Sequence, residues 1–319
     1  MQISVIMTCH NEEAFIEQAI RSVVAQTAYE MIDEIIVVND GSSDGSQPLL
    51  EKLAGEIGKL RIIVAGGVGL PAARNLALRQ ASGDFIALLD GDDYWAPEKT
   101  ERQMRAFARS EQIGLVYSDF SDFTLPDASD AALVPVRPYH ATDEATLATY
   151  FIHDAPIIPS TTIIRRKTLD DVGLFDAEVR LGEDTEMFLR IAERWRFEHV
   201  PGGFLYKRRH GKNLTAQLER LLPVAQMLTE RFTARNPSLR PLAAKRMARR
   251  YASAGNDCAK HGERTKAMNY LWRAFRSDPT YWRAYAYCIL ALMPSQLGPA
   301  VRRSFWSARR ISRSGAGEN

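Results

Sequence analysis

The stretch FIALLDGDD, residues 85–93, joins a short apolar run to a cluster of carboxylates. Such a run is typical of a buried strand, which puts Asp90 and Asp92 at its carboxyl end, where open α/β sheets bind ligands. Side chains two apart in an extended chain point the same way, so both can face one ligand. Paired carboxylates repel unless neutralised, and Mg²⁺ is typically held by carboxylates and substrate phosphates. The stretch predicts a metal–diphosphate site; the alternative is an acidic turn before a helix near Pro97.

Composition and length restrict the class of protein. The chain has 319 residues, of which 45% are apolar and 25% charged, as expected for a soluble globular protein with one sizeable core. Three widely spaced cysteines predict a reducing compartment and no disulfide framework. No signal peptide is visible, and the longest uncharged apolar run, 284–293, is too short to span a bilayer. We therefore expect a cytoplasmic protein.

The charge is divided unevenly along the chain. Residues 201–319 contain 23 Lys+Arg against 6 Asp+Glu, a net charge of +17, whereas residues 1–200 contain 18 against 33, a net charge of −15. This asymmetry predicts two parts with different partners. The basic part is suited to a polyanion, nucleic acid or an anionic membrane surface.

Hydrophobic periodicity predicts an α/β fold followed by a helical region. Strand and helix patterns alternate over the first 120 residues, which predicts a mostly parallel sheet. We expect a long loop over 121–139 and a further strand over 160–164. Strand patterns stop near residue 215, so the predicted domains are 1–215 and 216–319. Within the second domain, 248–281 has the spacing of one tetratricopeptide-like unit, with a generic helical hairpin as the alternative.

Four segments in this order resemble the family 2 glycosyltransferases, inverting enzymes of the GT-A fold. They are SVIMTCHNEE (4–13), IIVVNDGSSDGS (35–46), ARNLALRQASGDFIALLDGDDYW (73–95) and GLFD with GEDTEMFLRI (173–176 and 182–191). The resemblance covers about residues 1–215. It implies a Rossmann-like nucleotide-binding domain that transfers a sugar from a nucleotide donor, most simply a UDP-sugar.

The resemblance assigns donor-binding residues to the first two strand ends. Asp40 would accept a hydrogen bond from the uracil ring, although aspartate also often begins a Gly/Ser turn. Thr8, Asn11 and Glu12 would line the edge of the nucleotide pocket. Asn11 could equally be the N-cap of a helix beginning at Glu12.

Arg74 follows a glycine-rich loop and is a further candidate donor contact. The resemblance puts it near the nucleotide or diphosphate, where a fork of donors is useful; a surface helix arginine is the alternative. The preceding Gly67-x-Gly69-x-x-Ala72 matches the dinucleotide-binding fingerprint, but in the third βα unit rather than the first. That match is the basis of a rival prediction, an NAD(P)-dependent oxidoreductase.

The acidic stretch and a later histidine are the candidate metal ligands. The resemblance implies that Asp92 contacts a divalent cation, Mn²⁺ or Mg²⁺, and that Asp90 and Gly91 contact the donor, with Asp90 also near the metal. Asp93 is a weaker third member. His210 lies in the basic loop 206–213 and could contact metal or phosphate, although a lone histidine in such a loop is more often solvated. The cation would neutralise charge on the departing nucleoside diphosphate.

Glu183 and Asp184 open a predicted helix. Acidic residues in a first turn also complement the helix dipole. The resemblance makes Asp184 the general base, which takes the proton of the acceptor hydroxyl, with Glu183 helping to bind the acceptor. One base without a nucleophile partner implies a single displacement with inversion.

The carboxyl-terminal segment 299–313 has the pattern of a basic amphipathic helix, which is typical of a membrane-surface element or of a helix packed on its own domain. The expected acceptor is a glycan or lipid-linked glycan, as in cell-surface polysaccharide synthesis. Besides the oxidoreductase, the rival predictions are a non-catalytic scaffold and, more weakly, a nucleic-acid binder. The arginines lack regular aromatic interleaving, so we expect no nucleic-acid partner.

Overall fold

The structure is a computed structural model that describes residues 1–124, 128–134, 143–153, 157–210 and 218–293, with side chains from residue 147 onward in the third range. The chain divides into two compact units, Met1–Asn213 and Leu214–Asn319. Each unit is described by itself below.

One mixed sheet contains the strands of the first unit within the described ranges. The strands are β1 Ile3–Cys9, β2 Ile32–Asp40, β3 Leu60–Ala65, β4 Phe85–Asp90, β5 Tyr94–Trp95, β6 Ile113–Phe123, β7 Ala132–Val134, β8 Ile163–Arg165 and β9 Arg196–Arg208. Their order is β3-β2-β1-β4-β8-β6-β9-β5, with β7 paired to β6. The long pairings β1–β2, β2–β3, β1–β4 and β6–β9 are parallel, and the short pairings of β5, β7 and β8 are antiparallel. The predicted fold class, a mostly parallel α/β sheet, is confirmed.

Helices connect these strands and form most of the second unit. In the first unit they are α1 Ile16–Val24, α2 Ser46–Glu56, α3 Leu70–Gln80, α4 Lys99–Phe107, α5 Asp143–His153, α6 Arg166–Val172 and α7 Glu183–Ala192. In the second unit they are α8 Leu222–Arg235, α9 Ala243–Lys260, α10 Arg264–Ser277 and α11 Trp282–Leu292. Pro71 lies in the first turn of α3, where its missing N–H leaves no helical bond unmade.

The central strands of the sheet are apolar on both faces because helices cover both. β1 is buried along its whole length, and β4 is buried up to Asp90. On α1 the buried residues have helical spacing: Ile16, Ala19, Ile20 and Val23. Since β1, β2 and β4 are parallel, their carboxyl ends meet at one edge, with Thr8 opposite Asp90 and Cys9 opposite Asn39. The fold thus places the chemical side chains of three strands together.

Three local predictions were wrong. The predicted strand 160–164 is displaced, because residues 159–161 form a 3₁₀ turn and β8 is Ile163–Arg165. The predicted loop 121–139 includes the end of β6 and all of β7, which pair with each other. β9 runs to Arg208, into the predicted basic loop 206–213, because its pairing with β6 extends that far. Polar residues stay extended here since their backbone groups pair within the sheet.

The second unit contains a helical hairpin where the sequence has tetratricopeptide-like spacing. Gly255 on α9 allows close packing: a Cβ there would lie 2.8 Å from Leu271 Cγ and 3.0 Å from the Ala267 carbonyl oxygen on α10. α11 packs its residues Ala284 and Tyr287 into the same core. Among the described residues, every helix is too short or too polar to cross a bilayer. The predicted amphipathic helix 299–313 lies outside the described residues.

Candidate active site

Asp40 holds the glycine-rich loop that precedes α3. Its two carboxylate oxygens accept hydrogen bonds from the backbone N–H groups of Val68, at 2.7 Å, and Gly69, at 2.8 Å. Gly69 has φ 90°, a conformation that favours glycine, and a Cβ on Gly41 would lie 2.9 Å from the Gly67 nitrogen. Asp40 therefore fixes the position of this loop beside the end of β2. Each oxygen keeps a second lone pair for a ligand.

Asn11 joins the end of β1 to the turn after β2. Its Oδ1 accepts the backbone N–H of Ser43 at 2.8 Å, while its own N–H donates to the Ser42 hydroxyl at 2.9 Å. The N-cap alternative for Asn11 is wrong, because α1 begins at Ile16 and its cap is Phe15. Asn11 has φ 57°, a left-handed conformation that asparagine tolerates better than most residues. Asn11 therefore ties the end of β1 to the turn that follows Asp40.

Arg74 lies buried between two acidic segments. From the first turns of α3 its Nη2 donates to Asp90 Oδ1 at 2.6 Å, and its Nη1 donates to Glu183 Oε1 at 2.8 Å. The arginine side chain is only 3% exposed. This bridge brings the end of β4 and the start of α7, far apart in sequence, into one site. The Arg74 guanidinium thus donates hydrogen bonds directly to these two carboxylates.

Burial and nearby charges set the protonation of the residues around Arg74. Burial opposes ionisation of Asp90, but Arg74 and then Lys207 outweigh it and lower the pKa of that carboxyl. For Glu183 the balance is reversed: burial, followed by the adjacent Asp184, raises its pKa to about 7 against the effect of Arg74. The site therefore contains an ionised carboxylate at β4 and a more readily protonated one at α7.

Asp184 lies in the first turn of α7, beside Glu183. It is partly exposed, and its Oδ1 accepts the backbone N–H of Thr185 at 2.6 Å. The preceding Gly182 is the N-cap, with φ 74°, which lets the chain turn sharply into the helix. Asp184 thus has the accessibility that a group reacting with a ligand needs, while Glu183 is turned inward to Arg74.

Glu12 and Asp93 have buried oxygen atoms without a hydrogen-bond partner among the described residues. These atoms are Glu12 Oε2 and Asp93 Oδ2. Burial, then Asp92 and Asp90, raise the pKa of Glu12 well above its usual value. For Asp93, burial is again the largest cause and raises its pKa to about 8, against the opposing effect of Lys207. Glu12 also packs over Gly91, where a Cβ would lie 1.9 Å from Glu12 Oε2.

Asp92 and His210 are in direct contact. Asp92 Oδ2 and His210 Nε2 are 2.9 Å apart, and both side chains are partly exposed. The imidazole stacks on Phe15 with ring centroids 5.5 Å apart. Arg208 lies over the same Phe15 ring and donates from its backbone N–H to Asp93 Oδ1 at 3.0 Å. The remainder of the predicted basic loop, 211–213, lies outside the described residues.

The family model for glycosyl transferase family 2 matches residues 4–173, more than half of the chain. The chain belongs to this family. Membership of this glycosyltransferase family disposes of the oxidoreductase prediction. The loop geometry agrees, since the Val68 and Gly69 amides that would cradle a pyrophosphate in that reading face Asp40 instead.

Relatives and solved structures agree with the family assignment. The chain is 32% identical to the uncharacterized glycosyltransferase EpsJ of Bacillus subtilis over 60% of this chain and 57% of that one. It is 27% identical to chondroitin synthase of Pasteurella multocida over 66% of this chain and 21% of that one. It spans less than two thirds of the length of these curated relatives. The crystal structure of S. aureus TarS 1-349 shares the fold, with a TM-score of 0.62 at 20% identity, covering 95% of this chain and 92% of that one.

The acidic cluster fits a hard divalent cation by the chemistry of its donors. Carboxylate oxygens and an imidazole are ligands for such ions, and Glu12 Oε2 and Asp93 Oδ2 are buried without a hydrogen-bond partner among the described residues. Asp92 and His210 would hold the cation, with Asp90 beside them. Their donor atoms are not gathered within 4.8 Å as a set in the described structure, so side chains must adjust to bind an ion.

One trio of donor atoms within 4.8 Å lies in the second unit instead: Glu219, Cys258 and Glu263. Lys266 Nζ lies 3.6 Å from one carboxylate and 3.0 Å from the other, so an ammonium already neutralises them. Burial raises the pKa of Cys258 to about 11, which keeps it a thiol. This trio is an ion-pair cluster rather than a metal site.

Sequence reasoning missed Phe15 as part of the site, and it placed Lys207 and Arg208 only within the basic loop 206–213, without their contacts. Phe15 supports both His210 and Arg208, and Lys207 helps to lower the pKa of Asp90 and opposes the rise in the pKa of Asp93. The strand alternation that continues beyond Tyr206 is the signal that could have placed Lys207 and Arg208 on opposite faces. No such signal marks Phe15, which fits the ordinary apolar spacing of the first predicted helix.

Proposed function

We propose that this chain transfers one sugar from a UDP-sugar to a hydroxyl group of a glycan or lipid-linked glycan, with inversion and with a divalent cation. Its place would be cell-surface polysaccharide synthesis. The oxidoreductase and scaffold alternatives lose their support with family membership. The donor sugar, the acceptor and the metal requirement are the parts of this proposal that experiments must test.

The bridge made by Arg74 carries the proposal. It holds Asp90, on the donor side, and Glu183, beside the proposed base, within one guanidinium at 2.6 and 2.8 Å. Transfer needs the donor's leaving group and the acceptor hydroxyl close together, since positioning contributes much of the rate. The buried guanidinium of Arg74 joins both acidic segments and so meets that requirement.

Asp184 would act on the acceptor. Its carboxylate takes the proton from the acceptor hydroxyl as that oxygen forms a bond to the anomeric carbon, and the bond to the diphosphate oxygen breaks with its electron pair leaving on UDP. Because one base acts without a protein nucleophile, the configuration at the anomeric carbon inverts. Glu183 would stay inward and orient the first turn of α7 through Arg74.

Binding of the donor would be shared between the strand ends. Asp40 would accept the uracil N–H with its free lone pairs, while Thr8, Asn11, Glu12 and Gly91 would border the bound nucleotide. A bound cation would neutralise charge on the diphosphate. Structures of TarS in complex with UDP and with UDP-GlcNAc support a uridine donor for this fold.

The acceptor side follows from the relatives and from the charge distribution. Chondroitin synthase and hyaluronan synthase are named among the relatives, which supports a glycan acceptor. The basic segment 299–313 would bind the anionic cytoplasmic face of a membrane, bringing the enzyme to a lipid-linked acceptor.

Substitution of the proposed base tests this reaction. Asp184→Asn should lower transfer by about 10²–10⁴-fold, because the acceptor proton then has no base, while UDP binding stays unchanged. Asp170→Asn, an exposed carboxylate on α6, is the matched control. Sugar transfer is measured with a panel of UDP-sugars in the presence of Mn²⁺. UDP binding is measured by calorimetry. Transfer at the parental rate in Asp184→Asn would refute the base.

The metal proposal has its own readout in the same assays. Asp92→Ala should abolish the Mn²⁺-dependent part of UDP binding, since it removes the proposed direct ligand. UDP binding that is indifferent to both EDTA and this substitution would remove the cation from the proposal and leave the transfer reaction to be judged by Asp184→Asn.

A further inference from the structure

α11 carries a row of large apolar side chains that face water. Trp282, Tyr285, Ile289 and Leu292 follow one another at helical spacing on one side of the helix. They are 58%, 46%, 59% and 67% exposed. These four residues are called the exposed stripe below. α11 is not a polar helix with a few scattered apolar residues, because its opposite side is also apolar and is buried.

Aromatic residues of α10 extend the exposed stripe into a continuous patch. The Trp272 ring, 59% exposed, stacks on Phe275 with centroids 5.5 Å apart. Phe275 in turn meets the Tyr285 ring edge-on, also at 5.5 Å. A contiguous apolar patch of this kind on a water-facing surface marks a site of interaction with a partner or a membrane.

The stretch that carries the patch is rich in cations. From Arg264 to Leu292 the sequence contains five cationic residues, namely Arg264, Lys266, Arg273, Arg276 and Arg283, of which Lys266 is paired with Glu219 and Glu263. The single acidic residue of that stretch, Asp278, is engaged by the backbone N–H and hydroxyl of Thr280. A second copy of this chain would bring like charges together, whereas an anionic surface is complementary. Tryptophan, tyrosine and arginine are also the residues that collect at the headgroup level of bilayers.

We propose that the exposed stripe, with Trp272 and the flanking arginines, binds the surface of an anionic lipid bilayer. The apolar side chains would enter the boundary between headgroups and acyl chains, and Arg276 and Arg283 would meet lipid phosphates. This contact extends the membrane attachment proposed for 299–313, but it rests on different residues. It does not require the transfer reaction, so its failure would leave the assignment of Asp184 untouched.

Vesicle flotation of the full chain tests the contact. The double substitution Ile289→Ser and Leu292→Ser should lower binding to mixed phosphatidylcholine–phosphatidylglycerol vesicles by about tenfold or more, because two large side chains no longer leave water. Val64→Ser with Leu133→Ser, exposed residues of the first unit, is the matched control and should bind like the parent. A separate variant, Arg276→Gln with Arg283→Gln, should lose roughly fivefold per arginine on the mixed vesicles and nothing on pure phosphatidylcholine.

Other outcomes identify other occupants. Unchanged flotation of the Ser double variant would overturn the proposal and leave any binding to segment 299–313. If that variant instead converts a dimer to a monomer in light scattering while flotation persists, a second copy covers the exposed stripe. If flotation persists and the melting temperature falls, the chain's own carboxyl-terminal segment covers it. UDP binding, measured in parallel, should remain equal to the parent in every variant.

Discussion

The acidic edge of the sheet and the exposed stripe of α11 depart from ordinary burial in opposite directions. At the sheet edge, Glu12, Arg74 and Asp93 put charged or ionisable groups where water is excluded. On α11, Trp282 and Leu292 put large apolar groups where water has access. Soluble proteins normally avoid both arrangements. Each makes sense if a ligand completes it, a charged one at the sheet edge and an apolar, anionic one at the helix.

The two regions differ in how much of the fold depends on them. Charges at the sheet edge are held by buried hydrogen bonds that join distant segments, so changing them should disturb folding as well as function. Ile289 and Leu292 of the exposed stripe lie on the water-facing side of α11, so changing them should disturb folding far less. The following predictions test this difference.

Removing the arginine that bridges the sheet edge should have the largest effect. Arg74→Ala leaves Asp90 and Glu183 without their shared partner, so the free energy of unfolding should fall by about 3–5 kcal/mol. Arg79→Ala, an exposed residue on the same helix, is the control and should stay within about 0.5 kcal/mol of the parent. Urea denaturation measures both. A loss below about 1 kcal/mol for Arg74→Ala would show that the bridge has a role in binding only.

A methyl group at Gly91 should have a smaller effect. Its Cβ would overlap Glu12 Oε2 and approach the Thr8 carbonyl oxygen at 2.9 Å, where the backbone cannot yield. Gly91→Ala should therefore lower the free energy of unfolding by about 1–3 kcal/mol and weaken UDP binding. Gly55→Ala in α2, where nothing lies within 4 Å of the added Cβ, is the control and should be neutral or stabilising. Equal effects of the two substitutions would contradict the packing of Glu12 over Gly91.

The buried lysine of α4 should give the smallest effect, and one of opposite sign. Lys99 Nζ lies 4.0 Å from the Trp95 ring centroid and has no hydrogen-bond partner in the described part of the chain. Burial lowers its pKa well below the usual 10.5, so the unfolded chain binds more protons there than the folded chain. Above pH 10.5 the amine is neutral in both states and does not change the free energy of unfolding. As pH falls from 10.5 toward the folded-state pKa, only the unfolded chain takes up the proton, so the free energy of unfolding decreases.

Lys99→Met should consequently raise the free energy of unfolding by roughly 1–2 kcal/mol at neutral pH, with a smaller gain at alkaline pH. Lys167→Met, exposed on α6, is the control. The measurement is urea denaturation at both pH values. A destabilised Lys99→Met protein would mean that the amine has a favourable role in the core, as Arg74 has at the sheet edge.

The sequence predicted the fold, and which strand ends it brings together, better than the contacts between side chains there. Runs such as 85–89 and the acids that follow them specify strand ends, and parallel order brings Asp40 and Asp90 to one edge. Local spacing cannot show that Arg74 contacts Asp90 and Glu183, because those contacts join residues up to 109 positions apart. It also could not show that the carboxylate of Asp40 binds the loop before α3. The roles of these residues in binding and transfer stay predictions.

Boundaries were wrong where tertiary pairing overrides local composition. Ser121 and Asp122 are polar, yet they stay extended because β9 and β7 pair with them on either side. The sequence also did not predict the exposed stripe. The apolar run 284–293 predicts a helix, but it does not show which side of that helix the rest of the unit covers.

The grip of Asp40 on Gly69 has a mechanical consequence. Gly69 is the N-cap of α3, and Arg74 follows about 7.5 Å further along the same rigid helix. A ligand that moves the Asp40 carboxylate would also move α3 and the Arg74 guanidinium. Through Glu183 it would then move the first turn of α7. In the proposed reaction, the arrival of a nucleobase at Asp40 would thereby be transmitted to Asp184, beside Glu183.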